Sequence, residues 1–197
     1  AAPDGYTMLY VVPDIVTNPS LHKGMVDPFK DLAPLARMTV QSYILIANPG
    51  FEPRTVAEII AAAKAKPGGV TCASGGGLMA FGCEWLRTVT KTDIMHVQYK
   101  GNAPAITDLI GGRVTLLFNL FNTSLPQIRA GKARPVALTG ATRGAPLPEV
   151  PVIAETLPGF VLVGWHGVML PPGVPRPIVE RLNRAFAQAL ADPDVTK

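Results

Sequence analysis

The sequence predicts an α/β fold. Strand and helix patterns alternate through the middle of the chain, and glycine-rich turns stand between strand ends and helix starts. Core material is ample: hydrophobic residues are 48% of the 197 and charged residues 16%, which suits a folded chain rather than a disordered one. Such alternation favours a mostly parallel sheet with helices on both faces.

The elements follow in order. Pro3-Asp4-Gly5 is a turn and Tyr6 to Val12 a strand. Asn18-Pro19 opens a loop or short helix. Asp27-Pro28 and Asp31 to Pro34 are turn material before strands at Leu35 to Thr39 and Ser42 to Ala47. Pro53 to Lys66 is a helix with Val56, Ile59 and Ile60 on one face, ended by Pro67-Gly68-Gly69. Val70 to Ala73 is a short strand, Ser74-Gly75-Gly76-Gly77 a turn, and Leu78 to Val89 a helix. A buried strand from His96 leads to a tight Lys100-Gly101-Asn102 turn and a helix, with Asn102 as N-cap and Pro104 in the first turn. Ile106, Leu109 and Ile110 form that helix's apolar face, and Gly111-Gly112 stops it. Strands at Val114 to Phe118 and Pro135 to Leu138 flank a short helix, Leu125 to Ala130. A proline-rich connection, residues 143 to 160, precedes an extended Val161 to Leu170 and a closing helix from Pro175 to Ala191.

Several function classes lose support at once. The net charge of +4 comes from scattered basic residues without a basic run, which gives nucleic-acid binding little footing. No apolar run approaches the roughly 20 residues needed to span a bilayer. Cys72 and Cys83, the only cysteines, form no zinc signature; Cys83 reads as a buried thiol, with a disulfide open in an oxidising compartment. His22, His96 and His166 sit at no motif spacing, and no acidic cluster suggests a metal. The glycine turn lacks the Gly-Lys-Ser/Thr of a phosphate loop and the later glycine of a dinucleotide fingerprint, so no cofactor is implied.

Two turns carry the binding signal. Both join a strand to a helix start, where free backbone N–H groups and the helix dipole favour an anion. In a parallel sheet both lie at the carboxyl edge, where ligands bind. Lys100 adds a positive charge. Phe118 and Asn119 offer aromatic surface and an amide for a pocket wall; the simpler reading puts Phe118 in the core and Thr123 or Ser124 at a helix cap. A catalytic reading would need Ser74 or Cys83 beside a base.

An ordered set of segments resembles the periplasmic substrate-binding proteins of tripartite tricarboxylate transporters, the Bug family. The set comprises Pro3-Asp4-Gly5-Tyr6-Thr7, Asn18-Pro19, Asp27-Pro28 with Asp31, Ala61 to Pro67, Tyr99 to Ala105, Asp108 to Gly112, Ala130-Gly131-Lys132, Leu147 to Pro151, Ala154-Glu155, Pro158-Gly159-Phe160, Trp165 with Gly167, Pro171 to Pro175, and Leu182-Asn183. The resemblance implies a type II-like periplasmic-binding-protein fold: two α/β domains joined by two crossovers, near Ser42 and Trp165. Residues 44–164 would form the second domain, and 1–43 with 165–197 part of the first. The family's opening strand and ligand loop would precede Pro3, so the first domain is expected to be incomplete in this chain, and a signal peptide is not present in it.

The resemblance further implies a non-enzymatic protein that holds an amino-acid, dicarboxylic, tricarboxylic or aromatic carboxylate between its domains and serves membrane transporter subunits. The turns Ser74 to Gly77 and Tyr99 to Asn102 fall where the family contacts its ligand. Leu78 and Ala80 stand where the family carries a Ser/Thr and a histidine, and Gln98 where it carries a proline. The expected contact set is Ser74, Gly75, Gly76, Gly77, Leu78, Tyr99, Lys100, Gly101 and Asn102, with Phe118 and Asn119. The alternatives are a sensory or protein-interaction module on the same fold and an enzyme using Ser74 or Cys83.

Overall fold

A computed structural model describes residues 1–197 except 22, 23, 25, 145, 196 and 197. His22 therefore lies outside the described residues. The backbone divides into two compact units, residues 1–40 with 164–197 and residues 41–163.

The first unit contains β1 (Leu9–Val11), α1 (Asp14–Leu21), the first part of β2 (Ala33–Ala47), β7 (Val163–Leu170) and α6 (Arg176–Ala191). Strand β1 runs antiparallel to β7, with Tyr10 opposite Val168, and β7 neighbours β2. Val179, Leu182 and Phe186 recur on one side of α6 and pack against Leu35, Val168 and Leu170. The Asn183 amide donates to the Leu35 carbonyl at 2.7 Å, fixing the helix along the strand.

Strand β2 supplies a strand to each unit. Sequence patterning predicts two strands here, and the structure has a single one of 15 residues. Thr39 and Gln41, two residues apart, share the side of the strand that tolerates polar residues, and Ser42 on the other side is only partly buried, so the extended backbone continues through all three.

The second unit carries α2 (Val56–Ala65), β3 (Thr71–Ser74), α3 (Gly77–Thr90), β4 (Met95–Gln98), α4 (Asn102–Ile110), β5 (Leu116–Leu120), α5 (Phe121–Arg129) and β6 (Arg134–Leu138). Its strand order is β6-β2-β5-β3-β4. Strand β3 pairs parallel with β4 and β5, and β2 runs against both of its neighbours, β5 and β6. Four strands thus point one way, and β2 runs counter to them.

Period-two alternation sends side chains to two separate cores. Leu45, Cys72, Leu116 and Phe118 face α2 and α3, while Ile44, Ala73 and Leu117 face α4. Helix α2 starts with a complete capping box: Thr55 Oγ accepts from the Glu58 N–H at 3.2 Å, and Glu58 reaches back to the Thr55 N–H. The Arg134 guanidinium donates to the carbonyls of Phe51, Pro53 and Arg54 and ties the segment before α2 to β6.

Cys72 and Cys83 form a disulfide, with Cα atoms 5.8 Å apart. This corrects the expectation of a free buried thiol at Cys83. Cys72 points to the face that α3 covers, and the short turn between β3 and α3 brings the helix back over it. Spacing along the chain alone does not encode that return.

Candidate functional site

Three helices of the second unit begin at the carboxyl ends of parallel strands: α3 after β3, α4 after β4 and α5 after β5. Unlike α2, none of them has a side-chain cap at its first turn. The N-cap residues of α3 and α4 are Gly76 and Gly101, with φ, ψ of 101°, −174° and 101°, 171°. Both sit in the same region of backbone space, one that is essentially closed to residues with a Cβ. Asn102, expected as the N-cap of α4, is instead its first helical residue, because glycine alone fits the conformation required at the cap.

The two turns touch. A Cβ at Gly75 would overlap Asn102 Oδ1 and stand 2.9 Å from the Asn102 backbone N. The Gln98 side-chain N lies 4.0 Å from a Cβ position at Gly76. Among the described residues, the N–H groups of Gly76, Lys100 and Gly101 make no hydrogen bond, while that of Gly75 continues the β3–β5 ladder toward the Phe118 carbonyl. Asn102 Oδ1 is buried and likewise without a partner. Gly77 and Lys100 are exposed and Leu78 is half-buried, so the turns open to solvent with unspent donors. Two helix N-termini with free amides, side by side on adjacent strands, can hold an anionic group.

The remaining candidate residues have structural places. Ser74 is fully buried, and its carbonyl accepts from the Tyr99 N–H at 2.9 Å. Tyr99 donates its hydroxyl to Asp108 at 2.8 Å, and Arg113 donates to the other oxygen of that carboxylate. Phe118 is fully buried in the core beneath α3. Asn119 is fully buried as well, its amide donating to Ser124 Oγ at 2.9 Å. Neither forms a pocket wall. The wall of the neighbouring cavity, about 200 Å³, includes Phe121 and Asn122 together with Gln41, Ser42, Leu138, Gly144 and Pro146. Thr123 and Ser124 donate back to the Leu120 carbonyl, so they do not cap the free N–H groups of α5.

Sequence reasoning missed one side-chain chain. Ser74 Oγ is 2.9 Å from His96 Nε2, and His96 Nδ1 is 3.0 Å from Glu84 Oε1, while Arg87 donates to the other oxygen of that carboxylate, Oε2, at 2.7 Å. With Glu84 ionised, the ring donates through Nδ1, and a neutral ring accepts the Ser74 hydroxyl at Nε2. The order of groups is that of a nucleophile, a base and an orienting acid. Ser74 is buried, however, and its hydroxyl faces the ring instead of an accessible carbonyl site. The chain pins the end of β3 to β4 and α3. Gln98, singled out in the sequence only as standing at the family's proline position, lies beside Gly76.

The carboxylates here are held in their charged form. Burial by itself would push Glu84 up, but hydrogen bonds and charge from Arg87 and His96 hold it below the usual range. The hydrogen bond from Tyr99, then that from Arg113, holds Asp108 low, while burial and the Asp108 contact push the Tyr99 phenol up. Depressed carboxylate values stabilise the fold above the ordinary pKa near 4. That stability is lost as pH falls through the lowered folded values. Urea midpoints should therefore fall between about pH 5 and pH 3, with a shallower fall in Asp108→Asn.

Among the described residues no group of three or more His, Cys, Asp or Glu could hold a metal, and no helix is long and apolar enough to cross a membrane. All of residues 1–197 match the Tripartite tricarboxylate transporter family receptor, TctC. The chain belongs to the TctC family. TctC proteins are receptors rather than enzymes, which removes catalysis by Ser74 or Cys83 from the alternatives.

The chain is 32% identical over 200 residues to Protein BugT of Bordetella pertussis, covering 96% of this chain and 60% of that protein. It is 31% identical over 204 residues to the UPF0065 protein in the tcbD-tcbE intergenic region of Pseudomonas sp. (strain P51), covering 100% of this chain and 60% of that one. The chain thus spans about 60% of the length of these curated relatives. Among solved structures, it resembles R. palustris Rpa4515 with adipate at a TM-score of 0.84 and 33% identity, covering all of this chain and 67% of that one. Periplasmic binding protein BugD matches at 0.82 and 30%, over 100% of this chain and 67% of its own. MatC of Rhodopseudomonas palustris with bound malate matches at 0.80 and 29%, over 99% and 68%.

Proposed function

We propose that this TctC-family chain captures a small organic carboxylate outside the cytoplasm, and that the glycine turns at residues 74–77 and 99–102 grip the carboxylate. The observation that carries the reading is the set of unsatisfied amides at Gly76, Lys100 and Gly101, beside two uncapped helix starts. Each helix N-terminus favours an anion by roughly 0.3–1 kcal/mol at an exposed site and up to about 2 kcal/mol when partly buried. Direct N–H bonds to a carboxylate contribute more, because charge-assisted bonds are about twice as strong as neutral ones. Lys100 supplies a mobile positive charge at the rim. Ser74, Phe118 and Asn119 support the site from within, since all three are fully buried.

Relatives bound to adipate and malate support an aliphatic dicarboxylate, with amino-acid, tricarboxylic and aromatic acids as the wider class. The Cys72–Cys83 disulfide supports an oxidising compartment, in keeping with a periplasmic location. The family's description as a tripartite tricarboxylate transporter receptor supports delivery to the membrane subunits of such a transporter.

A thermal-shift screen of the full chain tests the reading, with adipate, malate, glutamate, citrate and benzoate against their uncharged amides. A ligand at a hundredfold excess over Kd adds about 2.7 kcal/mol, which raises Tm by roughly 5–10 °C in a chain of this size. A folded protein whose Tm ignores every acid contradicts the reading.

A further inference from the structure

The disulfide closes a ring around the first glycine turn. Cys72 is two residues before Ser74, and Cys83 lies in the second turn of α3. Four of the ten residues enclosed, 73–82, are glycine. Three of these are consecutive, and ordering consecutive glycines costs more backbone entropy than ordering any other residues. The turn has little else to hold it. Its upstream end is tied by the Ser74 carbonyl to Tyr99 N and by the Ser74 hydroxyl to His96. Beyond Gly75, whose N–H continues the β3–β5 ladder, Gly76 donates no hydrogen bond among the described residues. Downstream, α3 begins without a side-chain cap.

We propose that the Cys72–Cys83 disulfide is a preorganising clamp that holds the amides of Gly76 to Leu78 in ligand-ready positions. The proposal rests on the reading of this turn as part of the carboxylate site. Both cysteines are buried, 0% and 1% exposed, so they are positioning residues that never touch the ligand. They join the strand before the turn to the helix after it, so their covalent link shortens the free segment between Ser74 and the start of α3. A ligand entering the clamped turn then finds its donors ordered instead of ordering them itself. Forming the link removes two electrons and two protons from the thiols, passed to a disulfide-exchange oxidant of the oxidising compartment.

The test uses the full chain in three forms: wild type, Cys72→Ala with Cys83→Ala, and Cys72→Val with Cys83→Ala, the last keeping core volume. Iodoacetamide labelling of the native and the unfolded wild type first counts free thiols. Amide hydrogen exchange at residues 76–78 is then compared with exchange at the α2 core. Affinity for adipate, or for whichever acid of the panel shifts the wild type most, is measured on the same samples.

The clamp predicts no free thiol in wild type. It also predicts exchange at least about tenfold faster at 76–78 in both variants with α2 unchanged, and affinity weakened about threefold to tenfold, mostly through a slower on-rate. Free thiols in the unfolded wild type, or turn exchange equal in all three forms, would overturn it. If no acid binds wild type, the carboxylate reading fails by itself, and the exchange comparison still decides whether the clamp exists. Should both variants unfold, wild type treated with a phosphine reductant under native conditions takes their place in the exchange comparison. The phosphine gives up two electrons, becomes the phosphine oxide with oxygen from water, and leaves two protonated thiols.

Discussion

Gly76→Val and Gly101→Val should each raise the Kd for the bound carboxylate by at least about tenfold, since backbone strain of about 1–3 kcal/mol equals roughly one to two decades of affinity. The cause is conformational rather than a collision. A Cβ at Gly101 would meet nothing within 4 Å, and one at Gly76 only the end of the Gln98 side chain at 4.0 Å. Each variant relieves its strain by leaving φ near 101°, and the amides on either side of the cap turn away with it. Gly159→Val is the control. It also has a positive φ, 88°, and open space around its Cβ position, so it should cost comparable stability and leave Kd unchanged. Titration calorimetry of the three variants reads the difference. Unchanged affinity in a folded Gly101→Val protein would reduce that turn to architecture.

Phe118→Ala is expected to cost about 3–5 kcal/mol of stability, the range for truncating a buried aromatic residue. That is a large share of a typical folding free energy of roughly 5–15 kcal/mol. Phe118 is fully buried, its ring stacked 6.3 Å from that of Phe160, which in turn stacks 4.3 Å from Trp85. The layer fills the space between β5 and α3. Urea unfolding gives the cost, and the folded fraction should bind ligand with affinity within about twofold of wild type, because Phe118 only supports the strand. Loss of affinity with little loss of stability would restore Phe118 to the pocket wall.

Much of this architecture is legible in the residues. The apolar run Val70 to Ala73, the three glycines and the spaced apolar residues after them mark β3, its turn and α3, because strand and helix periods differ and glycine punctuates them. The free amides at the two turns follow from the same signals, since a glycine start without Ser, Thr, Asp or Asn at the cap leaves helix donors unspent. Asn102 misleads for the same reason in reverse. It is a good cap type one residue past a glycine, and the cap's backbone conformation excludes it.

What stays hidden depends on elements meeting in space. Ser74, Glu84 and His96 lie on a strand, a helix and a second strand, and their hydrogen bonds span 22 and 12 residues of sequence. Only the parallel pairing of β3 with β4, and the return of α3 over that face, brings them together. The disulfide depends on the same return. Phe118 and Asn119 read equally well as wall or core, because their pattern fixes which side of β5 each faces and not what covers that side.

The central claim is that the two glycine turns grip one carboxylate together. Its most direct test is a titration of the ¹⁵N-labelled full chain with adipate, or with the acid that shifts Tm most, followed by amide chemical shifts. The expected result is one saturable process with the largest shifts at Gly76 to Leu78 and at Lys100 to Ala103, moving with a single Kd. Saturable binding that leaves both turns unshifted, or shifts one and spares the other, would contradict it.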